Sequence, residues 1–203
     1  MVRAAALVAG DGEKLQAILD SVYFSEIPNF ELVAVISCEK NSNAMKRATR
    51  AGVPAFMVDP ELFPTSTSYS MAIANKLKDM DIDLVILAGY NRDLGVIPFQ
   101  YKNRIIGTFP SLIPSFESDD VIRAALERGV KVTGATAYFA DTEGCVGPII
   151  MQEAVEVLPG DTPESLRRRI MQEAEWKLLP EVIRQYCNPN GGFEIHGSRV
   201  IKK

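Results

Sequence analysis

Short apolar runs alternate along the chain with longer stretches in which apolar residues return every three or four positions, and this predicts repeated βα units around a parallel sheet. Ala4 to Ala9 is a continuous apolar run that ends at Gly10-Asp11-Gly12. The next stretch, Lys14 to Val22, places Leu15, Ile18, Leu19 and Val22 on one helical face. The chain therefore opens as strand, glycine turn, helix. A second unit is predicted by Glu31 to Ser37 and a helix over Ala44 to Ala51, capped by Ser42 or Asn43 and stopped by Gly52 before a short strand, Val53 to Val58. Ser66 to Met80 carries Ile73, Leu77 and Met80 at helical spacing, and Ile82 to Ala88 reads as a buried fourth parallel strand that breaks at Gly89.

The pattern then changes. Ile105 to Phe109 is strand-like but runs into Pro110-Ser111-Leu112-Ile113-Pro114, which cannot be helix interior and calls for a structured loop. Val121 to Arg128 is a helix closed by Gly129. Val130 to Ala140 and Gly147 to Val157 read as two strands around the polar segment Asp141 to Val146, an antiparallel hairpin at a sheet edge. Thr162 caps the last long helix, with Pro163 at its first position and an end near Tyr186. A turn, Asn188 to Gly192, leads into a final strand, Phe193 to Ile201. There is no internal repeat.

Composition narrows the picture without redirecting it. With 22 basic and 26 acidic residues among 203, the net charge is −4, which argues against nucleic acid as a partner. The apolar runs fall far short of the roughly 20 residues a membrane span needs, and nothing at the start reads as a signal peptide. The length suits one α/β domain at roughly 100–200 residues per domain. Cys38, Cys145 and Cys187 are an odd number without metal-ligand spacing, which fits a reducing cytoplasm and predicts no metal site.

Several residues are candidates for chemistry. The turn Gly10-Asp11-Gly12-Glu13 lies where parallel α/β sheets bind phosphate, because glycines let backbone N–H groups approach an anion at a positive helix end; it equally suits a plain tight turn. It lacks the third glycine of a dinucleotide fingerprint and the Gly-Lys-Ser/Thr of a nucleotide-triphosphate loop. Glu13, in the first helical turn, is expected to accept a free backbone N–H and so to act as an internal anion. Arg92 follows a strand-ending Gly89 and reads either as a ligand contact or as a solvated charge. His196 reads as an exposed tail histidine, and Cys145 sits beside Glu143, whose charge would raise a thiol pKa.

Taken together, these segments resemble the phosphoribosylglycinamide formyltransferase family from about Leu7 to Arg184. Ala9-Gly10-Asp11-Gly12-Glu13-Lys14-Leu15-Gln16-Ala17-Ile18 is similar to the family's first loop, and Leu87-Ala88-Gly89-Tyr90-Asn91-Arg92-Asp93-Leu94 to its folate-lining segment. Ile106-Gly107-Thr108-Phe109-Pro110-Ser111-Leu112-Ile113-Pro114 follows its Asn-x-His-Pro-Ser-Leu-Leu-Pro signature, and Gly134, Thr136, Gly147-Pro148-Ile149-Ile150 and Gln152 repeat its hairpin pattern. The resemblance implies a doubly wound, mostly parallel α/β sheet with a nucleotide-type half to about residue 87 and a folate-type half from about 88 to 203, forming one domain. It implies a small-molecule cleft at the carboxyl ends of the strands, with formyl-tetrahydrofolate as a cosubstrate rather than a tightly bound cofactor, and it is compatible with a homodimer. Its substrate contacts fall on Gly10, Asp11, Gly12, Glu13, Lys14 and Glu175; its folate contacts fall on Tyr90, Asn91, Arg92, Asp93, Leu94, Ala140 and Thr142.

The same match exposes departures. In the family's reaction a substrate amine attacks a formyl carbon while an Asn and a protonated His stabilise the oxyanion and an Asp assists proton movement. Here those positions are Gly107, Phe109 and Cys145, so no member of the catalytic set is retained and standard transfer is expected to be lost, leaving a small-molecule-binding or regulatory role; an active transferase with a rearranged site or a different amine is the alternative. The family's Ser-Asn of the first loop has become Glu13-Lys14, Asp11 adds a carboxylate, and Ser66 replaces an Arg. A repulsion on the order of 3 kcal/mol per carboxylate is then expected toward a phosphate.

Overall fold

A computed structural model describes residues 1–116, 120–141 and 146–203. Nine strands form one sheet in the order β3-β2-β1-β4-β5-β6-β7-β9-β8: β1 Val2–Val8, β2 Phe30–Ser37, β3 Ala55–Met57, β4 Leu84–Ala88, β5 Ile105–Phe109, β6 Val132–Ala140, β7 Val146–Glu156, β8 Phe193–His196 and β9 Arg199–Lys202. The first five are parallel, β6 runs antiparallel to β5, and β7 runs antiparallel to β6. The helices are α1 Glu13–Tyr23, α2 Asn43–Arg50, α3 Ser66–Asp79, α4 Ile97–Gln100, α5 Val121–Arg128, α6 Pro163–Ile170 and α7 Trp176–Tyr186.

Period-two alternation divides the core into two layers. Ala4, Ala6 and Val8 of β1 face one side with Leu15 and Ile18 of α1, Ala44 of α2, Ile122 of α5, and Leu178 and Val182 of α7. Ala5 and Leu7 face the other with Ile73 and Leu77 of α3 and Ile97 of α4. Small residues along β1 let both layers approach the sheet closely. Helices therefore cover both faces, the doubly wound arrangement expected from the pattern.

Local differences have local causes. Ser42 is the cap of α2, its hydroxyl accepting from the Met45 N–H at 3.3 Å. Val53 to Val58 yields only the three-residue β3, because it follows Pro54 and lies at the sheet edge. The single strand expected from Phe193 to Ile201 is instead a hairpin, since Gly197 turns the chain at φ +63° between β8 and β9; this pair extends the sheet beyond the β6–β7 hairpin. The long final helix starts at Thr162 and Pro163 as expected, but a π-helical turn, Met171–Glu175, separates α6 from α7. Gly12 sits at φ +69°, where an added Cβ would lie 2.6 Å from the Ala44 Cα, so it allows α1 and α2 to meet.

Candidate functional site

The carboxyl ends of β1, β2, β4 and β5 bring the chemistry-bearing segments together, as parallel topology requires. In the first loop the Gly10 N–H donates to Glu39 Oε2 at 2.7 Å. Asp11 Oδ1 accepts from Asn43 Nδ2 at 2.8 Å, and the Asp11 carbonyl accepts from Arg47 Nε at 2.8 Å. Glu13 opens α1 as an exposed residue, and Gly12 caps the helix without a side-chain hydrogen bond. Among the described residues the Glu13 carboxylate accepts no hydrogen bond. The carboxylate that occupies this loop is therefore Glu39, one residue past Cys38 after β2, and the expectation placed on Glu13 is corrected. The physical reason is placement: Glu13 is exposed at the start of α1, whereas Glu39 follows β2, which lies beside β1, and so comes within reach of the Gly10 N–H.

Lys14, the next residue, turns inward. Its Nζ lies 2.6 Å from Glu175 Oε1 and 3.0 Å from Thr108 Oγ1, while the Thr108 hydroxyl donates to the same Glu175 oxygen at 2.9 Å. The side chains of Lys14 and Glu175 are 18% and 4% exposed. Glu175 reaches this place because it ends the π-helical turn, whose extra residue rotates it into the protein ahead of α7. Thr108 is missed by motif reading, since attention falls on Gly107 and Phe109; the period of the strand puts its side chain on the opposite face, toward α1 and α7.

Gly107 pairs across the sheet with Tyr138, and a Cβ at Gly107 would lie 3.0 Å from both Tyr138 Cζ and Oη and 3.3 Å from Leu87 Cδ1. The ring of a buried tyrosine thus fills the space in which a side chain at 107 would begin. Phe109 is half-buried opposite Thr136. Cys145 and Thr142 lie outside the described residues, as does much of the acidic segment between Ser115 and Asp120. The loop 110–115 is tied down from β6 and β7. Thr136 Oγ1 donates to the Ser111 carbonyl at 2.6 Å and accepts from the Ile113 N–H at 3.1 Å, and Gln152 Nε2 donates to the Ile113 carbonyl at 2.9 Å. The Ile113–Pro114 peptide is cis.

On the other side of Gly89, Tyr90 is half-buried with its hydroxyl donating to that of Tyr69 at 3.4 Å, and burial pushes its pKa far up. Asn91 and Arg92 are exposed; Asn91 Oδ1 lies 3.7 Å from the Cys38 thiol, which burial pushes up. Asp93 caps its own turn, accepting from the Gly95 N–H at 2.8 Å, and Leu94 packs into the core with Ile97. Ala140 is buried at the end of β6. His196 is exposed beside Glu194 at 3.3 Å, remote from these loops in β8. Among the described residues no group of three or more His, Cys, Asp or Glu side chains could hold a metal ion, and no helix is long and apolar enough to cross a membrane.

A family model described as formyl transferase matches residues 2–183. The trifunctional purine biosynthetic protein adenosine-3 of Homo sapiens is 36% identical over 184 residues, which are 89% of this chain but 18% of that protein; the chain spans under a fifth of such trifunctional relatives. The phosphoribosylglycinamide formyltransferase of Bacillus subtilis is 32% identical over 96% of this chain and 99% of its own length. Among solved structures, glycinamide ribonucleotide transformylase 1 from Symbiobacterium toebii superposes with a TM-score of 0.93 at 43% identity, covering 98% of this chain and 93% of that one. The chain belongs to the formyl transferase family, with strong likeness in both sequence and structure to the phosphoribosylglycinamide formyltransferases.

Proposed function

We propose that this chain is a formyltransferase-family protein that binds a small molecule in a cleft at the carboxyl ends of its strands and does not carry out standard formyl transfer. One observation carries the reading: on β5, the two positions that the family gives to oxyanion donors are Gly107 and Phe109, and the Tyr138 ring fills the space beside Gly107. Glycine has no side chain to donate, and phenylalanine has no proton to give. Loss of a single oxyanion donor costs other enzymes roughly 2.7–4 kcal/mol of transition-state stabilisation, and losses within one catalytic unit do not add. In the same reading the segment to about residue 87 is the nucleotide-type half and the remainder the folate-type half, and the protein works in a reducing cytoplasm, consistent with the free thiols of Cys38 and Cys187.

The test supplies formyl-tetrahydrofolate and glycinamide ribonucleotide and follows deformylated folate by absorbance. Turnover should fall far below that of an ordinary family member; a rate within about tenfold of one would overturn the reading. Thermal-shift measurements with folates, ribonucleotides and amino sugars would then identify the ligand by selective stabilisation. A second reading, transfer at a rearranged site, is favoured by the Tyr138 hydroxyl, which lies 3.0 Å from the Cβ position of residue 107. On that reading turnover is substantial and Tyr138→Phe abolishes it.

A further inference from the structure

Helices α1 and α2 flank a groove of about 500 Å³, and none of the residues lining it is among those the family resemblance gives to substrate or folate. Its α2 wall carries Lys46, Arg47 and Arg50. Arg50 lies three residues from Arg47 and four from Lys46, so the three cations share one stretch of helix surface. Arg47 is half-buried and held at two points: Nε donates to the Asp11 carbonyl at 2.8 Å and Nη1 to Gln16 Oε1 at 2.9 Å. Both acceptors are neutral, so its charge stays uncompensated and three of its five N–H groups are left to an incoming acceptor. Lys46 Nζ likewise meets only a neutral partner, Asn43 Oδ1 at 3.3 Å, and among the described residues Arg50 has no ion pair. The one carboxylate of the lining, Asp20, accepts from Gln16 Nε2 at 2.7 Å, and Asp11, at the loop end, accepts from Asn43 Nδ2 at 2.8 Å. The lining therefore holds two positive charges in excess, in a chain of net charge −4. From the α1 wall comes Tyr23, 82% exposed, its ring edge-on to that of Phe24 with centroids 5.2 Å apart. A second hollow, toward β3, shares Lys46 and Arg50 but has neither Arg47 nor an aromatic ring.

We propose that the groove between α1 and α2 is a second ligand site, separate from the strand-end cleft, and that it takes a phosphate monoester carrying an aromatic ring, of which a nucleoside monophosphate is a simple case. The phosphate, with a charge of about −2 at neutral pH, sits among Lys46, Arg47 and Arg50 and meets the two excess positive charges. The ring lies on the uncovered face of Tyr23. Arg47 is already fixed by its hold on the first loop, so little side-chain freedom is lost on binding. The volume is in the range of small-molecule sites, roughly 300–1,000 Å³. A neutral nucleoside brings the ring without the charge, and a sugar phosphate brings the charge without the ring.

The test is calorimetric titration of the full chain with adenosine 5′-monophosphate, in the wild type and in Arg50→Ala, Lys46→Ala/Arg50→Ala and Tyr23→Ala. Arg47 is left in place because it also holds the Asp11 carbonyl. The substituted side chains are exposed, so the variants should melt within about 2 °C of the wild type, which circular dichroism checks. Affinity should fall roughly tenfold in Arg50→Ala and further in the double variant. Tyr23→Ala should bind the nucleotide several-fold more weakly, at about the level of ribose 5-phosphate in the wild type. Adenosine, and sodium sulfate at equal ionic strength, should give no saturable heat. Binding that persists undiminished in Lys46→Ala/Arg50→Ala would place the nucleotide in the strand-end cleft and overturn the proposal. So would the absence of saturable binding, an unchanged affinity in Tyr23→Ala, or equal heat from sulfate. The result stands apart from formyl transfer: an active wild-type transferase would remove the binding-only reading of the cleft and leave the groove titration as it is.

Discussion

Replacing Lys14 by Met tests the energetics of the buried pair, because it keeps the length of the stem and removes only the charge. At 2.6 Å and an effective dielectric near 20, the gross attraction to Glu175 is roughly 6 kcal/mol, much of it offset by the water both groups give up. Without Lys14, Glu175 retains the Thr108 hydroxyl alone, and a buried carboxylate so stranded costs about 3–5 kcal/mol. In a chain of 203 residues that corresponds to a fall in melting temperature of about 6–20 °C. The reciprocal change should cost less. In Glu175→Gln the amide still accepts from Thr108, and Lys14, 18% exposed against 4%, has the shorter way to water, so the loss is about 1–3 kcal/mol. The double variant Lys14→Met/Glu175→Leu should recover most of the stability, since well-packed apolar pairs often equal buried ion pairs. Urea unfolding of all four proteins measures the order. A smaller loss for Lys14→Met than for Glu175→Gln would refute the reasoning.

Gly107→Asn should destabilise by about 1–3 kcal/mol through overpacking against Tyr138 and Leu87, and Tyr138→Ala in the same protein should relieve it; equal urea midpoints for Gly107→Asn and wild type would contradict the geometry. Because Asp11, Glu13 and Ser66 still oppose a substrate phosphate, Gly107→Asn with Phe109→His and Cys145→Asp should recover little formyl transfer, and full recovery in a folate-release assay would show the first loop to be no obstacle. Glu39→Ala should free the Gly10 N–H and raise affinity for a ribose phosphate more than Glu13→Ser does, most clearly at low salt; calorimetric titration giving the reverse order would return the role to Glu13. Asp161, its side chain 4% exposed and held by Arg169 at 2.6 and 2.7 Å, has its carboxyl well below the usual 3.8. Its folded pKa is depressed, so its stabilisation is fully present above the unfolded value and is lost as pH falls below about 3.8 toward the folded one; Asp161→Asn should flatten that acid limb of the stability curve.

What the chain's pattern determined by itself was the set of elements and the class of fold. Runs such as Ala4 to Ala9, too apolar for a one-sided strand, and amphipathic stretches such as Lys14 to Val22 specify buried strands and covering helices through local periodicity, and Gly52, Gly129 and Thr162 mark boundaries through backbone chemistry that acts within a few residues. The landmarks around Gly89 and Pro110 to Pro114 likewise identified the family. Tertiary structure decided the rest, because it turns on distances between residues remote in sequence. Lys14 and Thr108 are 94 positions apart and Lys14 read as a helix-start residue until β5 and the turn before α7 were set beside it. Tyr138 meets Gly107 only through the antiparallel register of β5 and β6, and Glu39 reaches Gly10 only because β2 lies next to β1. The π-helical turn has no pattern of its own: one extra residue between α6 and α7 is invisible in a periodic helix, yet it is what turns Glu175 toward Lys14.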